Sequence, residues 1–328
     1  MKVAVTGGAG YIGSHAVLEL KRAGHEVVVL DNLSEGHPQA VDEAELLRVD
    51  LANEDRTRSI LRDSGADAVM HFAASAYVGE SVDDPQKYYF NNVVNTLQLL
   101  RAMIDLGIQQ FVFSGSCTVY GIPDSIPITE GFPLQPISPY GRTKATVEGI
   151  LSDYAEAYGL QYASLRYFNA AGAVPDGRMG EDHDPETHLI PIVIEAALGQ
   201  RDNITIFGTD YPTPDGTCIR DYIHVLDLGR AHVLALENLD QQSPAIYNLG
   251  TGTGNSVREV IDTVGTVSGR EIPVREGDRR PGDPPRLVSS PEKAEQELGW
   301  EPQYPELTDI VETAWQWHST HPDGYEDE

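Results

Sequence analysis

The stretch "VAVTGGAGYIGSHAVLEL", residues 3–20, decides the fold. A short apolar run ends in a turn that contains Gly7, Gly10 and Gly13, and a segment with helical apolar spacing follows. Glycines between a strand and a helix permit a tight turn and the close approach of a pyrophosphate, which the helix N-terminus attracts. The spacing is G-x-x-G-x-x-G rather than G-x-G-x-x-G, and the stretch predicts the first strand–turn–helix unit of a dinucleotide-binding domain.

Asp31 supports this interpretation. The next apolar run, "EVVVLD", ends at Asp31, eighteen positions after Gly13. An acidic residue at that distance accepts hydrogen bonds from the adenosine ribose hydroxyls. No arginine lies directly beside Asp31 to bind a 2′-phosphate, and we therefore expect NAD rather than NADP.

The rest of the first half alternates short apolar runs with helical segments, which is typical of a parallel sheet covered on both faces. After residue 170 the chain becomes richer in loops. We predict an α/β protein in which a Rossmann-like doubly wound parallel sheet is joined to a smaller α/β substrate-binding domain. The first domain is expected to span residues 1–170 and about 222–250, and the second residues 171–221 and 251–328.

The charge and the cysteine content exclude several classes of function. The 328 residues include 51 acids and 23 bases, for a net charge of −28, which argues against nonspecific binding to nucleic acid or to anionic membranes. We expect adaptation to a salt-rich cytoplasm, and we see neither a signal segment nor a membrane span. The two cysteines, Cys117 and Cys218, form neither a disulfide framework nor a metal pattern, and no metal is expected.

The stretch "SPYGRTK", residues 138–144, carries the candidate chemistry. Pro139 suits the first turn of a helix, and residues four apart on a helix share a face. Tyr140 and Lys144 can therefore face the same cleft, where an ammonium group would lower the pKa of the phenol. Such pairs are usually solvated surface, but the upstream dinucleotide turn favours a catalytic interpretation.

A serine-bearing strand edge supplies a third group. The strand in "FVFSGSCTVYG" ends where ligands of doubly wound sheets bind, and Ser114, Ser116 and Thr118 provide hydroxyls there. A hydroxyl at that edge could hydrogen-bond the reacting oxygen and relay a proton to Tyr140.

Together, motifs spread over residues 1 to about 322 resemble the extended short-chain dehydrogenase/reductase superfamily, and more narrowly the UDP-glucose 4-epimerases. The motifs are "TGGAGYIGSH", "LDNLS", "SCTVYG", "SPYGRTK", "LRYFNAAGA", "THLIP", "DGTCIRDYIHV" and "RRPGD". The resemblance implies interconversion of UDP-galactose and UDP-glucose through a transient 4-keto sugar and enzyme-bound NADH, and it implies a homodimer.

The resemblance also implies residue roles. Tyr140 would be the catalytic base and acid, Lys144 would lower its pKa, and Ser116 would be the hydroxyl partner. The implied cofactor contacts are Gly7, Gly10, Tyr11, Ile12, Gly13, Asp31, Asn32, Asp50, Leu51, Phe72, Asn91, Tyr140, Lys144 and Phe168. The implied UDP-sugar contacts are Ser116, Tyr140, Asn169, His188, Leu189, Phe207, Arg220, Arg280 and Asp283.

Two positions depart from the family pattern, and two alternatives stay open. Ala76 stands where some members have a lysine that reaches the cofactor, and Leu287 stands where a tyrosine or a cysteine gates sugar size. The substrate could instead be UDP-N-acetylglucosamine, UDP-glucuronate or a UDP-pentose. A non-catalytic NAD-binding regulator is the alternative from another class, but it would be expected to lack Tyr140 or Lys144.

Overall fold

The computed structural model describes residues 1–41, 43–280 and 282–325. The strands are β1 Lys2–Thr6, β2 Glu26–Asp31, β3 Glu45–Arg48, β4 Ala68–His71, β5 Gln110–Ser114, β6 Gln161–Tyr167, β7 Asn169–Ala171, β8 Ile204–Phe207, β9 Ile219–Arg220, β10 Tyr222–His224, β11 Ala245–Leu249, β12 Asn255–Ser256, β13 Val274–Gly277 and β14 Arg286–Leu287. The helices are α1 Tyr11–Arg22, α2 Glu54–Ser64, α3 Val78–Asp83, α4 Pro85–Tyr89, α5 Asn95–Leu106, α6 Pro139–Tyr158, α7 Leu189–Leu198, α8 Val225–Glu237, α9 Leu239–Gln242, α10 Val257–Ser268, α11 Glu292–Leu298 and α12 Leu307–Thr320.

Seven strands form one sheet in the order β11-β6-β5-β4-β1-β2-β3, and all of its neighbouring pairs are parallel. Apolar clusters cover both faces: α1 and α8 contribute to one, and α2, α5 and α6 contribute to the other. A parallel sheet buried on both faces explains why its strands are apolar throughout rather than alternating. The predicted doubly wound fold is confirmed.

The second half of the chain builds a smaller layer and also returns to the sheet. Helices α7, α10 and α12 surround a separate apolar core, and the strand pair β8–β13 lies in the same part of the chain. Helix α8 packs against α1, and β11 pairs with β6. The predicted boundaries of the two domains stay a prediction. Among the described residues, no helix is both long and apolar enough to cross a membrane.

Candidate active site

Two adjoining cavities lie at the carboxyl edge of the sheet, with volumes of about 330 Å³ and about 440 Å³. Gly7, Gly10 and Phe72 line both. Of the other predicted site residues, the first cavity is lined by Tyr11, Ile12, Gly13, Ser116, Tyr140, Lys144, Phe168, Asn169 and His188. The second is lined by Asp31, Asn32, Asp50, Leu51 and Asn91. The predicted cofactor and catalytic residues are therefore brought together around one continuous space.

The glycine turn leaves no room for side chains. Gly7 has a φ of +70°, and a Cβ on it would lie 2.4 Å from the backbone nitrogen of Ala73. A Cβ on Gly13 would lie 2.1 Å from the carbonyl oxygen of Gly7. Asp31 stabilises the turn, since its carboxylate accepts hydrogen bonds from the backbone N–H groups of Ala9 (2.9 Å) and Leu33 (2.8 Å). The backbone at the start of α1 is thus kept open toward the cavities.

Tyr140 and Lys144 lie in the first two turns of α6, both buried. The helix begins after Ser138, whose side chain accepts a hydrogen bond from the backbone N–H of Gly141, and Pro139 occupies its first position. The ammonium group of Lys144 donates to the carbonyl oxygen of Ser114 at 2.8 Å. It lies 5.7 Å from the ring centroid of Tyr140. The four-residue spacing thus places both side chains against the first cavity.

Burial dominates the ionisation of this pair in the protein alone. Desolvation raises the pKa of Tyr140, and contact with Ser116 opposes that effect only in part. Desolvation lowers the pKa of Lys144 to about 7. The expected lowering of the Tyr140 pKa is therefore not produced by Lys144 alone, because the two groups are buried together and each loses hydration.

The hydroxyl groups at the end of β5 form short contacts. Ser116 caps the 3₁₀ turn that spans Cys117–Tyr120, and its Oγ lies 2.9 Å from Oγ1 of Thr118. The Oγ of Ser114 lies 2.7 Å from the phenol oxygen of Tyr167. Ser116 and Thr118 line the cavity beside Tyr140, and Tyr167 is a cavity residue that the sequence analysis did not select.

We call residues 171–221 and 251–328, the predicted second domain, the cap. Most of the UDP-sugar residues predicted in the cap are not among the residues that line these two cavities. Arg220 forms an ion pair with Asp283, and the guanidinium carbon of Arg280 lies 4.1 Å from the ring centroid of Phe207. Leu189 is the first residue of α7, directly after His188. The predicted contacts therefore fall into two sets. One set lines the first cavity, and the other contains the Arg220–Asp283 ion pair and the cation–π contact of Arg280 with Phe207.

Asp221 is a structural residue of the site that the sequence analysis missed. Its fully buried carboxylate accepts hydrogen bonds from the backbone N–H groups of Thr251, Gly252 and Ser289, and from the hydroxyls of Thr251 and Ser289. Its carbonyl oxygen accepts from the side chain of Asn169 at 2.8 Å. Asp221 lies in "DGTCIRDYIHV", directly after Arg220, so its position in that motif was the available signal.

A second missed group is the set Glu181, His183 and Glu186, which surrounds the predicted residue His188. Glu181, His183 and His188 line the first cavity. Burial lowers the pKa of His183, but its contacts with Glu181 and Glu186 outweigh burial and raise it to about 9. The alternation of glutamate and histidine in "EDHDPETH", residues 181–188, is the feature of the sequence that indicates this group.

The two departures from the family pattern have defined surroundings. Ala76 lines the first cavity, and Lys87, which lines both cavities, donates from Nζ to Glu80 at 2.6 Å. Leu287 packs into an apolar cluster that includes Phe168 and Cys117, two residues of the first cavity. Leu287 therefore contacts the wall of the cavity from the cap side.

Known proteins share both the sequence and the fold. The chain is 52% identical to a UDP-glucose 4-epimerase of Halalkalibacterium halodurans, over 100% of this chain and 98% of the relative. A UDP-glucose 4-epimerase of Brucella ovis, solved in complex with NAD, has a TM-score of 0.93 and 51% identity over 96% of this chain and 97% of its own. A UDP-glucose 4-epimerase of Bifidobacterium longum, solved with NAD⁺ and UDP, has a TM-score of 0.94 and 37% identity over 99% of this chain and 100% of its own.

The glycine turn, Asp31 and the Tyr140–Lys144 pair all lie within the part of the chain to which a family description applies. The model of the NAD dependent epimerase/dehydratase family matches residues 3–250, which is most of the chain. The protein therefore belongs to the NAD dependent epimerase/dehydratase family.

Proposed function

We propose that the protein is an NAD-dependent UDP-glucose 4-epimerase that interconverts UDP-galactose and UDP-glucose. The observation that carries the proposal is the buried Tyr140–Lys144 pair, which faces the same cavity as the glycine turn. The relatives that are about half identical over their full length are UDP-glucose 4-epimerases, which supports this choice of substrate.

The residues around the cavities fit NAD. Gly7, Gly10 and Gly13 present backbone without side chains at the N-terminus of α1, which suits a pyrophosphate. The second cavity is lined by Asp31 and Asp50, which suit ribose hydroxyls. We propose that Gly7, Gly10, Tyr11, Ile12, Gly13, Asp31, Asn32, Asp50, Leu51, Phe72, Asn91, Tyr140, Lys144 and Phe168 hold it. When bound there, NAD would supply the hydride-transfer chemistry that epimerisation at sugar C4 requires.

The side chains of the first cavity move the proton. Tyr140 takes the proton of the sugar 4-hydroxyl and returns it after the 4-keto sugar has rotated in the cavity to present its other face. Ser116 hydrogen-bonds the reacting oxygen and opposes the raised pKa of Tyr140. Lys144, oriented by its 2.8 Å bond to the carbonyl of Ser114, binds the nicotinamide ribose and adds positive charge near the phenol.

Residues of the cap hold the nucleotide sugar. We assign the diphosphate to Arg220 and Arg280, since a guanidinium group binds phosphate oxygens through two parallel hydrogen bonds. Asp283, which is paired with Arg220, orients that guanidinium group. Phe207 offers an aromatic face beside Arg280. The remaining contacts of the proposed UDP-sugar site are Asn169, His188 and Leu189.

Replacement of Arg220 by alanine should weaken UDP binding by about 10- to 100-fold, because charge-assisted hydrogen bonds to the diphosphate are lost. Titration of UDP by calorimetry measures this change. Arg275→Ala is the matched control, since Arg275 is an exposed arginine of β13 in the same part of the chain. Equal affinity of the Arg220→Ala variant and the wild type would contradict the assignment of Arg220.

The proposed activity is tested by incubating the purified protein with UDP-galactose at high salt, without added NAD, and analysing the nucleotide sugars. We expect UDP-glucose to form, because the cofactor returns to its starting state in each cycle and can stay bound. Absence of conversion, even with added NAD, would contradict the proposal. The same assay with N-acetylated, acidic and pentose UDP-sugars ranks the alternatives that Leu287 leaves open.

We infer a homodimer that forms through the face around α3, α4 and α6. Exposed apolar side chains occur in α3 and directly after α4: Val78 (44% exposed), Val82 (63%) and Phe90 (55%). Helix α6, which carries the Tyr140–Lys144 pair, contacts α3 and α4. The molar mass measured by light scattering tests the inference, and a monomeric mass at micromolar concentration would contradict it.

We infer that the protein works in a salt-rich environment. A net charge of −28 produces self-repulsion that salt screens within about 10 Å at 0.1 M and about 3 Å at 1 M. The urea midpoint of unfolding should therefore rise between low and molar KCl. Equal midpoints in both buffers would contradict the inference. A cytoplasmic location stays a prediction.

A further inference from the structure

The side chains of Glu181, His183, Glu186 and His188 converge at the wall of the first cavity, and we call them the 181–188 cluster. Each offers one ligand atom, and these atoms all lie within 4.8 Å of one another. Nδ1 of His188 lies 2.8 Å from Glu181 Oε1 and 2.9 Å from Glu186 Oε1. Nδ1 of His183 lies 3.2 Å from Glu181 Oε1 and 3.7 Å from Glu186 Oε2.

These separations match those between the ligands of one small cation. Bonds of about 2.0–2.2 Å from zinc to nitrogen and oxygen place neighbouring ligand atoms about 2.8–3.6 Å apart, for octahedral to tetrahedral angles. The four measured distances lie around that interval. Two imidazoles and two carboxylates also form a complete first shell for a tetrahedral ion.

Hydrogen bonding accounts for only part of the contacts. Oε1 of Glu181 and Nδ1 of His183 are buried and have no hydrogen-bond partner, although each lies within 3.2 Å of the other. Nδ1 of His188 does form a hydrogen bond with Oε1 of Glu186, at 2.9 Å, so the unpartnered atoms of the cluster are confined to Glu181 and His183. The residue Glu181 is only 3% exposed, so its unpartnered oxygen carries a desolvation cost that a bound ion would remove.

We propose that the 181–188 cluster binds one zinc-type divalent cation, although no metal was expected from the sequence. Imidazole ligands suit first-row transition metals such as Zn²⁺, whereas Mg²⁺ and Ca²⁺ take mainly oxygen ligands. Nδ1 of His188 serves the cation, so the contact of this residue with the nucleotide sugar uses Nε2. Because 48% of the His188 side-chain surface is exposed, the ion can enter from the cavity.

The cation has two consequences for the site. All four ligands come from the eight residues directly before α7, so one ion orders this segment of the cavity wall. It also neutralises the carboxylates of Glu181 and Glu186, and so it reduces their repulsion of an anionic nucleotide in the cavity. The second consequence rests on the proposed function, because only an anionic nucleotide in the cavity would be repelled by these carboxylates.

The test measures metal binding without any substrate, so its result is independent of the epimerase assay. The full-length protein, free of a histidine tag, is stripped with a chelator and dialysed against limiting Zn²⁺ in high salt with excess Mg²⁺. The excess Mg²⁺ occupies carboxylates on the acidic surface, so Zn²⁺ is retained only at sites that offer imidazole ligands. We expect about one Zn²⁺ per chain by elemental analysis, and a rise of about 4 °C in the unfolding midpoint at a hundredfold excess over Kd.

Two variants and a matched control decide the outcome. Glu181→Gln combined with His183→Asn, and separately His188→Asn at its half-exposed position, should each weaken Zn²⁺ binding by about 100-fold or more. His25→Asn is the control, because His25 forms a single pair with Glu237 at 3.1 Å outside the cluster. Zinc binding that is equally tight in the folded wild type and the folded variants would overturn the proposal, as would equal stabilisation by Mg²⁺ alone.

Discussion

Replacement of Tyr140 by phenylalanine should lower kcat for UDP-galactose by about 10³-fold or more, while the Kd for UDP changes by less than about threefold. The substitution removes only the phenol oxygen that is proposed to carry the proton, and general acid–base catalysis contributes about 10²- to 10⁴-fold. The ring remains, and its edge-on packing with Tyr88, at 6.4 Å between centroids, is preserved. The initial rate of UDP-glucose formation from saturating UDP-galactose, together with UDP calorimetry, measures both quantities.

Tyr88→Phe is the matched control for this variant. Tyr88 is fully buried and contacts the Tyr140 ring, but it does not line either cavity, and its hydroxyl donates to Glu80. It should retain kcat within about threefold, since no proton of the reaction passes through its oxygen. Near-normal turnover of the Tyr140→Phe variant would show that another group is the base. A loss in both variants would indicate a packing defect instead.

Replacement of Asp221 by asparagine should destabilise the protein by about 3–5 kcal/mol, which is a large effect for an almost isosteric change. The buried carboxylate accepts five hydrogen bonds from Thr251, Gly252 and Ser289, and each of its two oxygens faces donors only. An asparagine amide must direct its NH₂ group at N–H or O–H donors that are already there. The urea midpoint should fall by about 1 M, and differential scanning calorimetry should show an earlier transition.

Asp210→Asn separates this effect from a general loss of negative charge. Asp210 is an exposed aspartate that pairs with Arg279, and its substitution should leave the urea midpoint nearly unchanged. Because the Asp221 network also joins Asn169 to the segment after Arg220, the Asp221→Asn variant should bind UDP more weakly even where it remains folded. A midpoint equal to that of the wild type would contradict the stabilising role of Asp221.

Much of the first domain follows from local sequence patterns. A parallel sheet covered on both faces requires apolar strands of a few residues alternating with longer helices, and that pattern is present through residue 167. The glycine spacing at residues 7–13 and the placement of Pro139 are also local, because they depend on backbone geometry within one turn. The predicted fold was confirmed for this reason.

The cap residues illustrate what the sequence alone could not supply. Arg220 and Asp283 are 63 positions apart in the chain, and their ion pair exists only because β9 and β14 are adjacent in the folded structure. The Tyr140–Lys144 pair was predicted as a shared helix face, which the structure shows. The raised pKa of Tyr140 was not predicted, because it arises from burial in the folded protein and from the charge interaction with Tyr167, which lies outside α6.

The sequence by itself determined the order of strands and helices, the open glycine turn and the helix that carries Tyr140 and Lys144. Each of these depends on interactions within a few residues. Only the tertiary structure decided that residues of the 181–188 cluster line the same cavity as the glycine turn, how Asp221 joins three distant backbone segments and how strongly Tyr140 is desolvated. Those features depend on how closely distant parts of the chain approach each other and on how much water they exclude.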